Sequence, residues 1–295
     1  MKVLEHGDGS DVPLGRTVFA RRQKENTNMP TVNDIHEFLC AVAPLEMKME
    51  FDNVGFLVGF SNNAVSKILV SLDITHGVIS EALDIGAQLI ISHHPLFFSL
   101  KSVTDTDITS NKAVRLLTGG LSAICMHTNL DAARGGVNDA LAIAAGIAVN
   151  SEDSELLAEN GKLQDGTVFS YGRVGYLKNP CSLEEYLKRL KKTLNTDGLR
   201  YYDAGKEVYR VAVVGGSGGS ELSAAISSGC DTFVTADVKY DVFLDAKEFG
   251  INIIDGDHFC TENLVTAVLA EKLRKEFPEI SVMVSKSHSQ TVKFY

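Results

Sequence analysis

The sequence predicts the α/β fold class: two interlinked, pseudo-symmetric lobes with mostly parallel sheets and a metal site in the cleft between them. Three observations carry this reading. Short apolar strands alternate with helical segments from about Lys67 onward, the signature of βαβ units. The same alternation returns near the C terminus. Histidines and carboxylates cluster just past three of the strand ends.

Residues 1–28 stand apart: polar, rich in Gly, Asp and Arg, and without an apolar period, they read as a mobile leader, and Met29 fits an original start. Thr31 opens a helix with Asp34 completing a capping box, Ile35, Phe38, Leu39 and Val42 form its apolar face, and Pro44 ends it. Strands follow at Ile68–Leu72, Leu89–Ser92 and Ala123–Met126. Helices lie at about Val78–Asp84, Lys112–Leu117 and Val137–Ala144, and glycines end the first two. The N-terminal α/β lobe is thus 29–150.

The polar stretch 151–166 reads as a linker. A small α/β segment continues to 207, with a strand near Val168–Leu177 and a helix capped by Ser182 with Glu185. Leu183, Leu187, Leu190 and Leu194 give that helix its apolar stripe, and its lysines and arginines form a solvated face. The C-terminal α/β lobe, 208–295, has strands at Val211–Val214, Thr232–Thr235 and Ile251–Ile254, with a helix at Phe243–Phe249.

The two lobes read as copies. The stretch from Glu81 to Ser92 lines up with that from Ala224 to Thr235, and His127-x-x-x-Asp131 matches His258-x-x-x-Glu262 after equivalent strands. Shared ligand spacing at equivalent places predicts a site between two pseudo-symmetric lobes.

Composition narrows the function. The 295 residues are 44% apolar, with no run long enough to cross a bilayer. No basic segment precedes an apolar one near the start, so no secretory signal is expected. The net charge of −10 repels phosphate backbones on average, which favours a small-molecule substrate or a protein partner over nucleic acid. Cys40, Cys125, Cys181, Cys230 and Cys260 are odd in number and never CxxC; they suit small buried side chains in a reducing cytoplasm.

The chemistry gathers at strand ends. Leu89–Ile91 runs into Ser92-His93-His94-Pro95, the next strand into His127-Thr-Asn-Leu-Asp131, and the last into Asp255-Gly-Asp-His258 with Glu262 beyond. An i,i+4 spacing sets both side chains of HxxxD and HxxxE on one helical face. Three histidines and two carboxylates without thiolate suit Zn, Fe, Mn or Co rather than Ca or Cu(I). Five ligands exceed one catalytic zinc. Two ions roughly 3.5–4 Å apart, sharing a carboxylate, would use all five and leave room for a bridging water.

Other motifs stay open. The turn Gly215-Gly-Ser-Gly-Gly-Ser220 is either a tight turn or an anion nest; Glu221 breaks the dinucleotide fingerprint, and no P-loop lysine is present. Asp52-Asn53 reads as a turn. Asp237, Lys239 and Tyr240 either rim the cleft or are plain surface.

In this order, Phe51-Asp-Asn-Val-Gly-Phe-Leu-Val-Gly59, Ser92-His-His-Pro95, His127-Thr-Asn-Leu-Asp131, Asp237-Val-Lys-Tyr240 and His258-x-x-Thr-Glu262 resemble the GTP cyclohydrolase I type 2 homologue family, also called Ngg-interacting-factor-three-like. The resemblance covers Thr31 to Tyr295. It implies a two-lobed subunit with two divalent metal ions in the cleft, held by His93, His94, Asp131, His258 and Glu262, with His127 close by, and a ring-shaped homohexamer. The large inserted domain of some members has no room here. Phe51 stands for the usual Trp, Ala236 and Asp257 for Gly, and Asp241 for His; none is a ligand position, and Asp241 argues against a catalytic role there. The resemblance implies a metal-dependent hydrolase acting on a nucleotide-like substrate; the alternatives are a metal-dependent phosphoesterase and a metal-binding regulatory or scaffold protein without catalysis.

Overall fold

The computed structural model describes residues 29–148 and 155–295, so the leader 1–28 and the first part of the expected linker lie outside the described residues. Thr31 Oγ1 accepts from the Asp34 amide while the Asp34 carboxylate accepts from the Thr31 amide, and this closed capping box starts α1 (Val32–Val42). After a 3₁₀ turn at Leu45–Met47, the segment read as a turn at Asp52-Asn53 goes on into a strand, β1 (Gly55–Val58). The first α/β run is β2 (Lys67–Ser71), α2 (His76–Asp84), β3 (Leu89–Ser92), α3 (Ile108–Thr118), β4 (Ser122–Cys125), α4 (Thr128–Ala132) and α5 (Val137–Ala144). Asp107 caps α3 by accepting from Ser110 N–H, which starts that helix earlier than its apolar pattern suggests.

Short strands β5 (Glu155–Leu156), β6 (Gly161–Lys162) and β7 (Val168–Phe169) precede β8 (Arg173–Cys181). The single strand expected over Val168–Leu177 is therefore two, split where Gly172 packs against Leu157 and Val214 with no room for a Cβ. Helix α6 (Leu183–Thr193), capped by Ser182 as expected, leads to β9 (Arg200–Tyr202). The second run is β10 (Val208–Val213), α7 (Leu222–Ser227), β11 (Thr232–Thr235), α8 (Tyr240–Phe249), β12 (Asn252–Asp255), α9 (His258–Glu262), α10 (Leu264–Glu276) and β13 (Ser281–Val284).

Two main sheets result. One has the order β1-β4-β3-β2-β13, parallel except for β1; the other has β5-β8-β10-β11-β12-β9, with a parallel centre of β10, β11 and β12. Both faces of each are covered, and for this reason their central strands read as unbroken apolar runs. In the first, Ile68, Val70, Leu89 and Ile91 point to α1 and α10, while Leu69, Ile90 and Ala123 point to α2 and α3. In the second, Val211, Val213, Val234 and Ile254 face α5 and α6, while Ala212, Phe233 and Ile253 face α7 and α8.

The run from β2 to α5 repeats in the run from β10 to α10, each with a five-residue helix, α4 or α9, bearing the HxxxD or HxxxE spacing. The helices that follow change places. Leu141, Ala142 and Ala145 at the end of the first run belong to the core of the second sheet, whereas Val265, Leu269 and Leu273 of the second run belong to the core of the first. The chain after α10 adds β13 to the first sheet beside β2.

Candidate metal centre

Five of the parallel strands aim their carboxyl ends at one cleft and bring residues there: Asp73 after β2, His93 and His94 after β3, His127 and Asp131 after β4, Gly215 after β10, and His258 and Glu262 after β12. Backbone hydrogen bonds fix the β3 exit, where His93 and His94 amides donate to Leu72 O at 3.2 and 2.9 Å.

Each of the four histidines is held by its Nδ1. His93 Nδ1 lies 2.8 Å from Met126 O, His94 Nδ1 2.8 Å from Asp73 Oδ1, His127 Nδ1 2.9 Å from Asp52 Oδ1 and His258 Nδ1 2.7 Å from Asp237 Oδ2. Each partner is an acceptor, so Nδ1 serves as the donor of each ring and Nε2 is the atom turned to the cleft, the arrangement in which Nε2 can ligate a metal.

The free atoms converge. His94 Nε2 and His258 Nε2 are 3.3 Å apart, and Glu262 Oε2 stands 2.8 and 3.0 Å from them. His93 Nε2 is 3.6 Å from Asp131 Oδ1 and 3.8 Å from Glu262 Oε2. Three sets of ligand atoms lie within 4.8 Å of one another: His94, His258 and Glu262; His93, Asp131 and Glu262; and His93, His94 and His127. The first two share Glu262. All five residues singled out in the sequence are thus brought together, and His127 joins them as a further donor or a close neighbour.

The donor set fits a divalent cation on its own evidence. His93 Nε2, Asp131 Oδ1 and Glu262 Oε2 are buried atoms without a hydrogen-bond partner; the short approaches to Glu262 Oε2 lack hydrogen-bond geometry. Orphaned buried polar atoms are costly, and three facing one another call for a shared cation. Gly216 completes the enclosure: a Cβ there would stand 2.1 Å from Glu262 Oε1, and its φ of +63° favours glycine as well.

Electrostatics follow the same partners. Burial alone would raise the Asp52 carboxyl, but hydrogen bonds from His127 and Thr128 outweigh it and hold it at about 2. Burial pulls His94 down, yet Asp73 and Glu262 lift it to about 10; His258, against Glu262 and Asp237, rises to about 9. Glu262, despite its burial, is held well below the usual carboxylate range by three imidazoles, whereas burial raises Asp131.

Several roles differ from the sequence expectations. The turn lies just before the expected place, with Asp52 N–H donating to Met49 O, and the Asp52 carboxylate orients His127. Of the Asp237, Lys239 and Tyr240 group, Asp237 reaches the site through His258, while Tyr240 is 78% exposed. Asp241 lines a separate groove with Lys239. Asp73 went unremarked in the sequence, although its place two residues past the end of β2 is the same signal that marked the histidines. In the Gly-rich turn, the Gly215, Gly216 and Gly218 amides donate to Asn138 Oδ1, Thr261 Oγ1 and Thr235 Oγ1, which favours the tight turn over an open anion nest.

The cleft above these atoms has a volume of about 510 Å³, and Met49, Phe51, Phe98, Tyr171, Ser217 and Ser220 are among the residues that line it. Among the described residues, no helix is long and apolar enough to cross a membrane.

Comparison with known proteins agrees with this architecture. The sequence profile of the family described as Duf34/NIF3 (NGG1p interacting factor 3) matches residues 30–291. A Clostridium perfringens protein named GTP cyclohydrolase 1 type 2 homolog is 33% identical, over 89% of this chain and 99% of its own length. A Clostridium acetobutylicum protein of the same name is 32% identical, over 89% and 98%. The crystal structure of a Bacillus cereus protein related to NIF3 superposes with a TM-score of 0.84, at 22% identity, over 91% of this chain and 100% of that one. A Staphylococcus aureus protein gives 0.78 at 26% identity, over 90% and 99%. With the family profile matching residues 30–291 and a relative 33% identical over 99% of its own length, the protein belongs to the Duf34/NIF3 family.

Proposed function

We propose that the chain is a dinuclear metal-dependent hydrolase that acts on a nucleotide-like substrate. His94 and His258 would hold one ion and His93 and Asp131 the other, with Glu262 between them. The observation that supports this most is the sharing of Glu262 by two donor groups whose atoms lie within 4.8 Å of one another. Bound there, two ions of Zn, Fe, Mn or Co would supply Lewis acidity and activate water near neutral pH. The protein's own contribution is orientation: Asp73, Asp237, Asp52 and Met126 O fix the four imidazoles before any ion arrives.

The cleft volume suits a drug-sized or nucleotide-sized ligand, and access to the donors favours catalysis over a sealed scaffold site. Phe51 and Phe98, 65% and 56% exposed with ring centroids 6.0 Å apart, stand at this cleft and offer faces for a planar heterocycle. We further propose a homohexamer, on the family resemblance, and a cytoplasmic location, on the cysteine pattern; light scattering should report about six times 31.9 kDa.

Elemental analysis of protein purified without chelator should give two ions per chain, and His93→Ala with Glu262→Ala should abolish tight binding. Unchanged metal content in that double variant would overturn the ligand assignment. Metal-replete protein should then be screened on GTP and other purine nucleotides. Ring opening changes the purine ultraviolet spectrum, whereas phosphoester cleavage leaves it intact and releases phosphate. If neither signal arises above that of Asp131→Ala, the hydrolase reading fails.

A further inference from the structure

The residues after β13 do not stop at the edge of the first sheet. They cross to the second lobe, and on the way His288 and Gln290 make polar contacts with Asp73 and Asp257, residues that adjoin the candidate metal centre. Ser285 Oγ, Ser287 Oγ and the amides of Lys286 and Ser287 all donate to the Glu81 carboxylate on α2, which fixes the start of the crossing. His288 Nε2 then lies 2.8 Å from Asp73 Oδ2, while the other oxygen of the same carboxylate holds His94 Nδ1 at 2.8 Å. The His288 ring stands edge-on to Phe259, next to His258 on α9, at 5.2 Å between centroids. Gln290 donates to Asp257, the residue before His258, and Phe294 packs where Gly198 has no Cβ.

Asp257 makes the second half of this arrangement informative. Its φ of +72° is a conformation that an L side chain rarely adopts, so it holds strain that something must offset. Two contacts do so: its carboxylate accepts from Cys260 N–H to cap α9, and it accepts from Gln290 of the tail. The tail therefore meets the supports of a donor histidine in both lobes, His94 through Asp73 and His258 through Asp257.

We propose that residues 285–295 form part of the metal centre, with His288 a positioning residue that orients His94 through the shared Asp73 carboxylate. A carboxylate with one imidazole can rotate about its own axis and let the ring tilt. With an N–H donor on each oxygen its plane is fixed, and so is the direction of the His94 Nε2 lone pair. His288 itself is not a donor to the centre; its side chain is 13% exposed and directed at Asp73. The inference rests on the metal-centre reading above, because it concerns the aim of one of that centre's histidines.

The test is Zn²⁺ affinity of the full-length chain, measured by chelator competition, together with the melting temperature of chelator-treated protein. His288→Ala should weaken the tighter or the weaker Zn²⁺ step by about 10–100-fold, the range for loss of a group that supports a metal-binding histidine. His288→Gln, which keeps an N–H donor near the Nε2 position, should restore most of that affinity. Melting temperatures of the chelator-treated variants should stay close to that of the parent. Zn²⁺ affinity of His288→Ala equal to the parent's would overturn the proposal. So would equal losses in His288→Ala and His288→Gln, since these would assign the effect to packing on Phe259. If the parent chain itself binds no Zn²⁺, the metal-centre reading falls, a result distinct from either.

Discussion

At the scale of single residues, the candidate centre pairs each imidazole with an acceptor on its far side, and its glycines are as specific as its candidate ligands. Gly216 and Gly229 have nearly the same backbone, with φ of +63° and +69°, but a Cβ on Gly229 would meet nothing within 4 Å while one on Gly216 would meet Glu262. Both Ala variants incur the same left-handed backbone cost of roughly 1–2 kcal/mol. Gly216→Ala must in addition displace the carboxylate shared by two donor groups. After dialysis it should retain much less metal than the parent, whereas Gly229→Ala retains the full content; equal retention would show that Glu262 tolerates displacement. That these five residues would meet was legible in the sequence because each follows an apolar strand by one to seven residues, and strand ends are where parallel sheets place ligands. His288 was not, since the Asp73 it meets lies 215 positions away and no local pattern marks such a contact.

At the scale of elements, what could be read was what local chemistry decides. The Thr31 and Ser182 caps lie where side chain and amide are three residues apart, and α5 runs over the Val137–Ala144 range that its apolar period marks. Strands β1, β9 and β13 were missed for a common reason. They flank the parallel centres, are three or four residues long, and owe their conformation to distant neighbours such as the pairing of Gly55 with Cys125. The tail that follows β13 likewise depends on a distant anchor, Glu81. Burial favours its neutral form, but hydrogen bonds from Ser285, Lys286 and Ser287 together outweigh it and hold its carboxyl at about 2, against an ordinary value of 4.5. A depressed folded value means that Glu81 stabilises the protein above about pH 4.5, and that this contribution fades as pH falls towards 2. Glu81→Gln should therefore melt below the parent at neutral pH, with the two melting curves converging as the solution is acidified from 4.5. A gap that stays constant down to pH 3 would remove the charge from this account.

At the scale of the whole molecule, the repeat visible in the sequence is not a pair of separable lobes, because α5 and α10 each pack on the other run's sheet. Leu141 of α5 is fully buried in the core of the second sheet, and Leu269 of α10, 1% exposed, in that of the first. A further tie is Arg173 at the start of β8. It is fully buried, ion-paired with Asp139 of α5, and donates to the carbonyls of Ala132 and Ala133 just past Asp131. Removing one member of such a pair leaves an unpaired buried charge, so neither sheet can lose the α5 region without exposing both apolar and charged groups. The donor residues are divided in the same way, His93, His94 and Asp131 from one run and His258 and Glu262 from the other, so a separated half would hold an incomplete set. The exchange predicts one cooperative unfolding transition for the chelator-treated chain, with calorimetric and van't Hoff enthalpies in agreement. Leu141→Ala and Leu269→Ala should each cost about 2–5 kcal/mol, and each should shift that one transition as a whole. Were the lobes independent, Leu141→Ala would lower the melting of one part and leave the other in place. Two resolved transitions, only one of which responds to each substitution, would refute the interlinked fold as the unit of stability.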